Sequence, residues 1–240
     1  MNGTQFDVVI VGAGLSGVGM AYHLKKQCPG MSYTLLEGRK TMGGTWDLFR
    51  YPGIRSDSDM HTLGFPFRPW NERKAIADGP AILKYIKETA EELSIDDQIR
   101  YEHKVVQADW LSEQKHWKLT ITKLSPEETV SITCRFLFMC SGYYDYDQGY
   151  TPDFRGLEDY EGQLIHPQKW PGELDYKDKD LIVIGSGATA VTLVPELAKK
   201  ARHVTMLQRS PSYITSIPSE DKLGSLLQSF LPKKIGDHLI

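Results

Sequence analysis

The sequence predicts an α/β fold, and two observations lead to this prediction. Two glycine-rich loops, residues 12–17 and 185–190, each follow a short apolar strand pattern and each open a helical pattern. After each helical pattern comes a second apolar strand pattern, at Tyr33–Leu36 and at His203–Leu207. Strands that alternate with helices are typical of a parallel sheet. We therefore predict two Rossmann-like dinucleotide-binding domains, the first with a small antiparallel β-meander and the second only partial.

The composition excludes several classes of protein. The chain has 240 residues, of which 40% are hydrophobic and 25% charged, and its net charge is −3. These values are ordinary for a globular protein and give no electrostatic reason to expect nucleic acid or an anionic membrane as a partner. No apolar run approaches the length of a transmembrane helix. The three cysteines, Cys28, Cys134 and Cys140, have neither a CxxC nor a metal-ligand spacing. We therefore predict no metal site, no redox-active pair and a cytoplasmic protein with reduced thiols.

The elements around the first loop follow each other in the order that a Rossmann unit requires. A buried-strand pattern at residues 6–11 precedes the loop, and a helical pattern at residues 15–26 follows it. The second strand pattern, Tyr33–Leu36, ends at the acidic Glu37. Glu37 lies about 20 residues beyond Gly17, which is the distance at which the dinucleotide fingerprint places an acid. The fingerprint is therefore complete, and it is more specific than an isolated glycine motif.

Each glycine of the first loop has its own predicted role. Gly12 permits a tight turn, Gly14 lets the backbone approach a pyrophosphate, and Gly17 lets the helix pack on the strand. The N-terminus of the helix would donate amide hydrogen bonds to the phosphates, and Glu37 would accept hydrogen bonds from the adenosine ribose. The alternative is a glycine-rich turn that binds no ligand.

The segment after the second strand predicts irregular structure. Residues 43–57 contain too many glycines, prolines and aromatic residues for a regular element, and residues 61–70 continue as an aromatic loop. Such a backbone suits an extended flavin, whose ring needs flat and close contacts, although a structured surface loop is the alternative. Arg55 and Asp57 are the ionisable pair of this segment. By themselves they indicate a surface salt bridge rather than catalytic residues.

The rest of the first predicted domain, residues 1–142, combines one helix with several strands. Residues 80–93 have the apolar stripe of an amphipathic helix. Strand patterns follow at residues 99–110, 116–122, 129–133 and 136–140. The first three are expected to form the antiparallel meander, and the fourth is expected to return to the main sheet.

A linker of residues 143–180 leads to the second predicted domain, residues 181–240. A strand at residues 181–184 and a helix at residues 188–200 surround the second glycine loop, and Pro195 predicts a kink in that helix. Two dinucleotide sites on one chain indicate a flavin that is reduced by a nicotinamide.

The second fingerprint departs from the first at two positions. Ala190 replaces the third glycine, and Arg209 stands near the position of the acid. A carboxylate there would repel a 2′-phosphate, whereas an arginine would pair with it. The sequence therefore favours NADPH over NADH, and the alternative is that Arg209 is a solvated surface charge.

A run in the linker resembles the fingerprint of a known family, Phe-x-Gly-x-x-x-His-x-x-x-Trp followed by Pro or Asp. The residues that match are Gly162, His166, Trp170 and Pro171, with Tyr160 in place of the Phe. Together with residues 43–70 and the two flanking glycine loops, this run resembles the type I Baeyer–Villiger monooxygenases, most closely the ethionamide-activating ones of bacteria. The resemblance spans nearly all of the chain. Without it, His166 and Trp170 would be interpreted as a packed loop pair.

The resemblance implies a set of site residues. The residues that it implies for FAD binding are Gly12, Gly14, Ser16, Gly17, Glu37, Thr45, Trp46, Asp47, Leu48, Asp57 and Val105. The residues that it implies for NADPH binding are Arg55, Gly185, Ser186, Gly187, Ala188, Thr189, Ala190, Val191, Thr192, Arg209 and Ser210. Asp57 and Arg55 are the implied catalytic residues, the first beside the flavin and the second near the nicotinamide.

The resemblance also implies a reaction. NADPH reduces FAD, the reduced flavin captures O2 as a C4a-peroxyflavin, and one oxygen atom is inserted into a ketone to give an ester or a lactone. Sulfides and thioamides are alternative substrates.

The family's main catalytic arginine lies far downstream of the fingerprint, so we expect it beyond the end of this chain. The chain would then be the N-terminal half of a longer monooxygenase. A second domain with one βαβ unit and a helical pattern at residues 223–230 agrees with this, since a nucleotide domain needs roughly a hundred residues or more.

Two other functions stay open at this point. An N- or S-oxygenating flavin monooxygenase has a related fingerprint that usually lacks the ending formed here by Trp170 and Pro171. A non-catalytic dinucleotide-binding module would need only the glycine loops. The sequence predicts neither a particular ketone or sulfide nor an oligomeric state.

Overall fold

The computed structural model describes residues 4–216 and 218–221, and the chain divides into two compact units. The first unit combines the chain up to Leu48 with Leu83–Tyr144, and the second combines Phe49–Ile82 with the chain from Asp145 onward. The predicted α/β class is confirmed. The residues of the predicted linker, 143–180, lie almost entirely in the second unit, and so does Phe49–Ile82, which we had predicted in the first domain. The helical pattern at residues 223–230 lies outside the described residues.

The first unit is built on one six-stranded sheet. Its strands are β1 (Thr4–Val11), β2 (Tyr33–Leu36), β3 (Ile99–Arg100), β4 (His103–Leu111), β5 (His116–Leu124) and β6 (Glu127–Met139), in the spatial order β3-β2-β1-β6-β5-β4. β1 is parallel to β2 and to β6, whereas β5 is antiparallel to both of its neighbours, β4 and β6. The predicted meander therefore belongs to the same sheet as the parallel strands. β6 pairs with β1 over residues 132–139 and with β5 over residues 127–134.

Two strand predictions were wrong. The pattern at residues 99–110 is two strands, because Glu102 has a φ of 56° that breaks the extended backbone between them. β3 then pairs parallel to β2, and β4 turns away to pair antiparallel to β5. The patterns at residues 129–133 and 136–140 are one strand, β6. The charged Arg135 does not interrupt it, because Cys134 and Phe136 on its two sides both continue the parallel pairing with β1.

Helices α1 (Leu15–Gln27) and α4 (Gly79–Glu92) are close to their predicted bounds. Val18 and Ala21 of α1 are fully buried, as are Ile10 and Leu35 of the sheet. Full burial of one such aliphatic side chain stabilises the folded state by about 1.5–3 kcal/mol. Buried residues of β1, β2, β5 and β6 form a further core cluster, which consists of Val9, Leu36, Leu119, Ile121, Ile132 and Cys134.

The second unit contains a parallel pair of strands, β7 (Asp180–Ile184) and β8 (His203–Leu207), connected by helix α5 (Ala188–Leu197). Pro195 lies inside α5, and the helix ends two residues later rather than at residue 200. Ile182, Ile184 and Leu207 form an apolar face of this sheet that the described residues leave more than half exposed.

Two short helices occur where the sequence predicts irregular structure. They are α2 (Thr45–Leu48) in the first unit and α3 (Met60–Leu63) in the second. Asp59 caps α3, since its side chain accepts a hydrogen bond from the Thr62 amide at 2.9 Å. None of the described helices is long and apolar enough to cross a membrane.

Candidate dinucleotide-binding sites

The first glycine loop joins β1 to α1 through very close backbone contacts. Gly12 has a φ of +104°, and its amide donates a hydrogen bond to the Leu36 carbonyl at 2.8 Å. A Cβ atom on Gly12 would lie 2.4 Å from the Cys140 carbonyl oxygen, and one on Gly17 would lie 2.0 Å from the Gly12 carbonyl oxygen. Neither position accommodates a side chain, as the predicted tight turn and close helix packing require.

The start of α1 has donors for an anion. Gly14 is the N-cap residue of α1 and makes no side-chain capping hydrogen bond, and the first turn contains no acidic residue. The first amides of an α-helix have no partner within the helix, so they can donate to a phosphate. A Cβ atom on Gly14 would be in ordinary van der Waals contact with the Gly44 backbone, 3.4 Å from its Cα, so α2 lies close to the start of α1. Ser16 is exposed in the same turn.

Glu37 holds the loop from the end of β2. Its side chain is buried, and the two carboxylate oxygens accept hydrogen bonds from different backbone amides. Oε2 accepts from Ala13 at 2.9 Å, and Oε1 accepts from Arg39 at 3.0 Å. A carboxylate has about four lone-pair positions, so each oxygen of Glu37 keeps acceptor capacity for a ribose hydroxyl.

Helix α2 brings a second segment to the loop. The Gly43 amide donates to the Ala13 carbonyl at 3.0 Å, and α2, with Thr45, Trp46, Asp47 and Leu48, begins directly afterwards. Asp47 is 3% exposed and forms an ion pair with Arg39, whose Nη2 lies 2.6 Å from Asp47 Oδ2. Val105 is half-buried on β4 and packs against a core cluster that includes Leu36.

The second glycine loop repeats the backbone geometry of the first. Gly185 has a φ of +129°, and its amide donates to the Leu207 carbonyl at 2.8 Å, as the Gly12 amide does to Leu36. The Val191 amide donates to the Gly187 carbonyl at 3.0 Å, as Val18 does to Gly14 at 3.1 Å. Gly187 is the N-cap of α5 and also lacks a side-chain cap.

The remaining residues that the sequence implies for the second site surround this loop. Gly187, Ala188, Arg209 and Ser210 are exposed, Gly185, Ser186, Thr189 and Val191 are half-buried, and Ala190 and Thr192 are buried. The Ser186 hydroxyl donates to the Ser210 carbonyl at 3.3 Å, which ties the loop to the segment after β8. Arg209 lies two residues beyond the end of β8.

Arg55 and Asp57 lie in the same unit as the second loop, on an ordered segment. Both side chains are exposed, and the buried Ser56 between them anchors the backbone. The Ser56 amide donates to the Ala77 carbonyl at 2.9 Å, and the Ala77 amide donates to Ser56 Oγ at 3.2 Å. Gly53, with a φ of +77°, packs so tightly on α5 that a Cβ atom there would lie 2.3 Å from Glu196 Cγ.

Sequence analysis missed two residues of these sites, Arg39 and Tyr51. The Tyr51 side chain is buried beside Thr189, in the first turn of α5. Burial raises the pKa of Tyr51, a hydrogen bond with Thr189 opposes this, and the negative charge of Asp57 adds to it. Neither Arg39 nor Tyr51 belongs to a motif, so the sequence carried no signal for them.

The run at residues 160–171 lies in the second unit as a compact loop. His166 Nδ1 accepts a hydrogen bond from the Gln168 amide at 3.2 Å, and its ring lies against Gly149. The buried Gln168 side chain donates to the Asp145 carbonyl at 2.5 Å. In the same run, the Tyr160 phenol packs over Gly162, Trp170 is half-buried and Pro171 is exposed.

Comparisons with known proteins agree with this architecture. The family model for pyridine nucleotide-disulphide oxidoreductases matches residues 9–223. The chain is 60% identical, over 230 residues, to the FAD-containing monooxygenase EthA of Mycobacterium tuberculosis, a match that covers 95% of this chain and 47% of EthA. The chain thus spans about half the length of the curated relatives it matches.

Two solved structures are similar to the chain. One is an oxidized steroid monooxygenase bound to NADP, with a TM-score of 0.77 and 30% identity, which covers 94% of this chain and 42% of that one. The other is OTEMO in complex with FAD and NADP, with a TM-score of 0.74 and 28% identity, which covers 89% of this chain and 41% of that one.

Proposed function

The chain belongs to the pyridine nucleotide-disulphide oxidoreductase family, and from this premise we propose that it carries the FAD and NADPH sites of a monooxygenase. The monooxygenase inserts one oxygen atom of O2 into ketones, giving esters or lactones, and oxygenates sulfides or thioamides. This function fits the names of the relatives better than disulfide reduction does. The three cysteines of the chain, Cys28, Cys134 and Cys140, are all free, and a disulfide reductase needs a redox-active pair. Free thiols also support a cytoplasmic location.

The observation that carries the proposal is the repeated loop geometry. Gly12 and Gly185 both have positive φ angles. The backbone amide of each donates a hydrogen bond, 2.8 Å long, to the carbonyl of the last residue of the neighbouring strand. Each loop leads into a helix whose N-cap is a glycine without a side-chain cap. Each such loop can bind one pyrophosphate. Two loops therefore favour two dinucleotide cofactors over one.

The two loops differ in the residues that would select a cofactor. FAD would lie at the first loop, with its pyrophosphate on the first turn of α1 and a ribose hydroxyl at Glu37. NADPH would lie at the second loop, with its 2′-phosphate at Arg209. When bound, a flavin supplies the redox chemistry that transfers electrons from NADPH to O2 and an oxygen atom to the substrate. The roles of Asp57 and Arg55 beside the flavin and the nicotinamide stay predictions, as does a downstream arginine.

The proposal is tested by measuring substrate oxidation by the protein that the natural gene encodes. With FAD and NADPH present, a linear methyl ketone should be converted to an ester, with one NADPH oxidised for each ester formed. A tertiary amine is the matched comparison. Conversion of the amine but not of the ketone would assign the protein to the N-oxygenating flavin monooxygenases, and NADPH oxidation with neither product would contradict the proposal.

A further inference from the structure

A ring of contacts connects the first glycine loop to two other segments, residues 37–39 and residues 43–47. The Ala13 amide donates to Glu37 Oε2 at 2.9 Å, and the Arg39 amide donates to Glu37 Oε1 at 3.0 Å. The Arg39 side chain then reaches α2, where Nη2 lies 2.6 Å from Asp47 Oδ2. The Gly43 amide, just before α2, closes the ring by donating to the Ala13 carbonyl at 3.0 Å. We call these five residues the Arg39 ring.

Arg39 also holds the backbone of α2. Its Nη1 and Nη2 atoms lie 3.5 Å from the carbonyl oxygens of Gly44 and Asp47, respectively. The guanidinium is planar and presents several donors in a fixed fork, so it can bind a carboxylate and neighbouring carbonyls together. A lysine at this position would supply the charge without the fork.

The ion pair at the centre of the ring is mostly removed from water. The Asp47 side chain is 3% exposed and the Arg39 side chain 27% exposed. Removing one partner of a buried pair leaves an uncompensated charge, which costs more free energy than removing both partners.

We propose that Arg39 is a positioning residue for the dinucleotide that the first glycine loop binds. Its backbone amide, with that of Ala13, fixes the plane of the Glu37 carboxylate, and its guanidinium holds α2 against the loop. Asp47 then acts through Arg39. This inference rests on the proposed FAD site, and it adds a residue and a mode of action that the sequence did not predict.

The test compares FAD binding by the 240-residue chain and its variants. Dissociation constants are obtained from the change in flavin fluorescence on binding. R39Q should weaken FAD binding about tenfold or more, because it removes the ion pair with Asp47 and the guanidinium fork that holds α2 against the loop. R39K, which keeps the charge, should lie between R39Q and the original chain.

A control variant and a measurement without FAD separate positioning from general stability. R135Q breaks the Arg135–Asp7 ion pair, which joins β6 to β1 in the same unit. This variant should leave FAD binding unchanged. Amide hydrogen exchange of the FAD-free chain should become faster at Ala13 and Gly43 in R39Q but not in R135Q.

The outcomes distinguish this inference from the proposed function. FAD binding by R39Q equal to that of the original chain, or an equal loss in R135Q, would overturn the role of Arg39. If the original chain binds no FAD, the proposal that this chain carries the FAD site fails, and the role of Arg39 in FAD binding fails with it. The hydrogen-exchange comparison shows in every case whether Arg39 orders the loop.

Discussion

Arg209 is the residue proposed to select NADPH over NADH. It is exposed two residues beyond β8, where the first site has Glu37 directly after β2. A guanidinium binds a phosphate through charge-assisted hydrogen bonds, and a carboxylate repels it. The residue types at these two positions therefore differ in the way that FAD at one site and NADPH at the other would require.

Substitution of Arg209 tests this choice. Arg209→Gln should weaken NADPH binding about tenfold or more and leave NADH binding nearly unchanged, because only NADPH carries the 2′-phosphate. Isothermal titration with each nucleotide provides the two constants. Arg202→Gln is the matched control, since Arg202 pairs with Asp180 in the same unit. An equal loss of NADPH and NADH affinity in Arg209→Gln would contradict the assigned role.

Cys134 gives a pH dependence that belongs to a single residue. It is fully buried, and burial raises the pKa of its thiol to about 11. An unfolded cysteine has a pKa of about 8.5, so the folded chain keeps a proton that the unfolded chain loses above this pH. The stability contributed by the neutral thiol is therefore fully present below about pH 8.5 and is lost as the pH rises towards 11.

Urea unfolding across this pH range measures the effect. The free energy of unfolding should fall by about 2–3 kcal/mol more for the original chain than for Cys134→Ala between about pH 8.5 and pH 11. Cys134→Ala loses a buried side chain, which lowers its stability at every pH by a constant amount and leaves this slope comparison intact. Parallel curves for the two proteins would show that Cys134 does not titrate in this way.

At the scale of elements, the contact between α1 and β1 determines the shape of the first loop. Alanine at a helical glycine normally adds about 1 kcal/mol of stability. At Gly17 the new Cβ atom would lie 2.0 Å from the Gly12 carbonyl oxygen, which is backbone and cannot rotate away. Overpacking of a core contact costs about 1–3 kcal/mol, so the steric term should prevail.

Gly17→Ala should therefore lower the free energy of unfolding and weaken FAD binding together. Gly30→Ala is the control, since a Cβ atom on Gly30 meets nothing within 4 Å. We expect Gly30→Ala to change stability by no more than about 0.5 kcal/mol. Thermal unfolding of both variants, with and without FAD, measures the two effects. A Gly17→Ala chain as stable as Gly30→Ala would show that α1 moves away from β1 without cost.

Local patterns predict some elements of this fold and cannot predict others. β1, α1, β2, β7 and β8 follow from short apolar runs, helical spacing and the glycines that end them. The continuity of β6 depends instead on its backbone pairing with β1, a strand far away in the chain, where Cys134 and Phe136 lie opposite Phe6 and Val8. The division of β3 from β4 depends on a change of strand partner at Glu102.

The same distinction applies to the candidate sites. The glycine loops and Glu37 carry a motif whose spacing reflects the cofactor, so the sequence predicts them. Arg39 and Tyr51 act through partners brought close by folding, Asp47 in one case and Thr189 in the other. No spacing rule connects these residues. Packing of Phe49–Ile82 with the second unit is likewise a property of tertiary contacts.

As a whole molecule, this chain is proposed to hold two dinucleotides. The chain spans about half the length of its curated relatives, and both glycine loops lie within it. Two separate loops predict binding of FAD without NADPH and of NADPH without FAD. The claim is therefore tested by cofactor binding before any substrate is added.

The most direct measurement is the visible absorption spectrum of the purified 240-residue chain after reconstitution with FAD, followed by NADPH without oxygen. We predict a bound yellow flavin that stays with the protein on gel filtration and is bleached by NADPH. A chain that retains no flavin, or that retains flavin but neither binds NADPH nor is reduced by it, would contradict the claim.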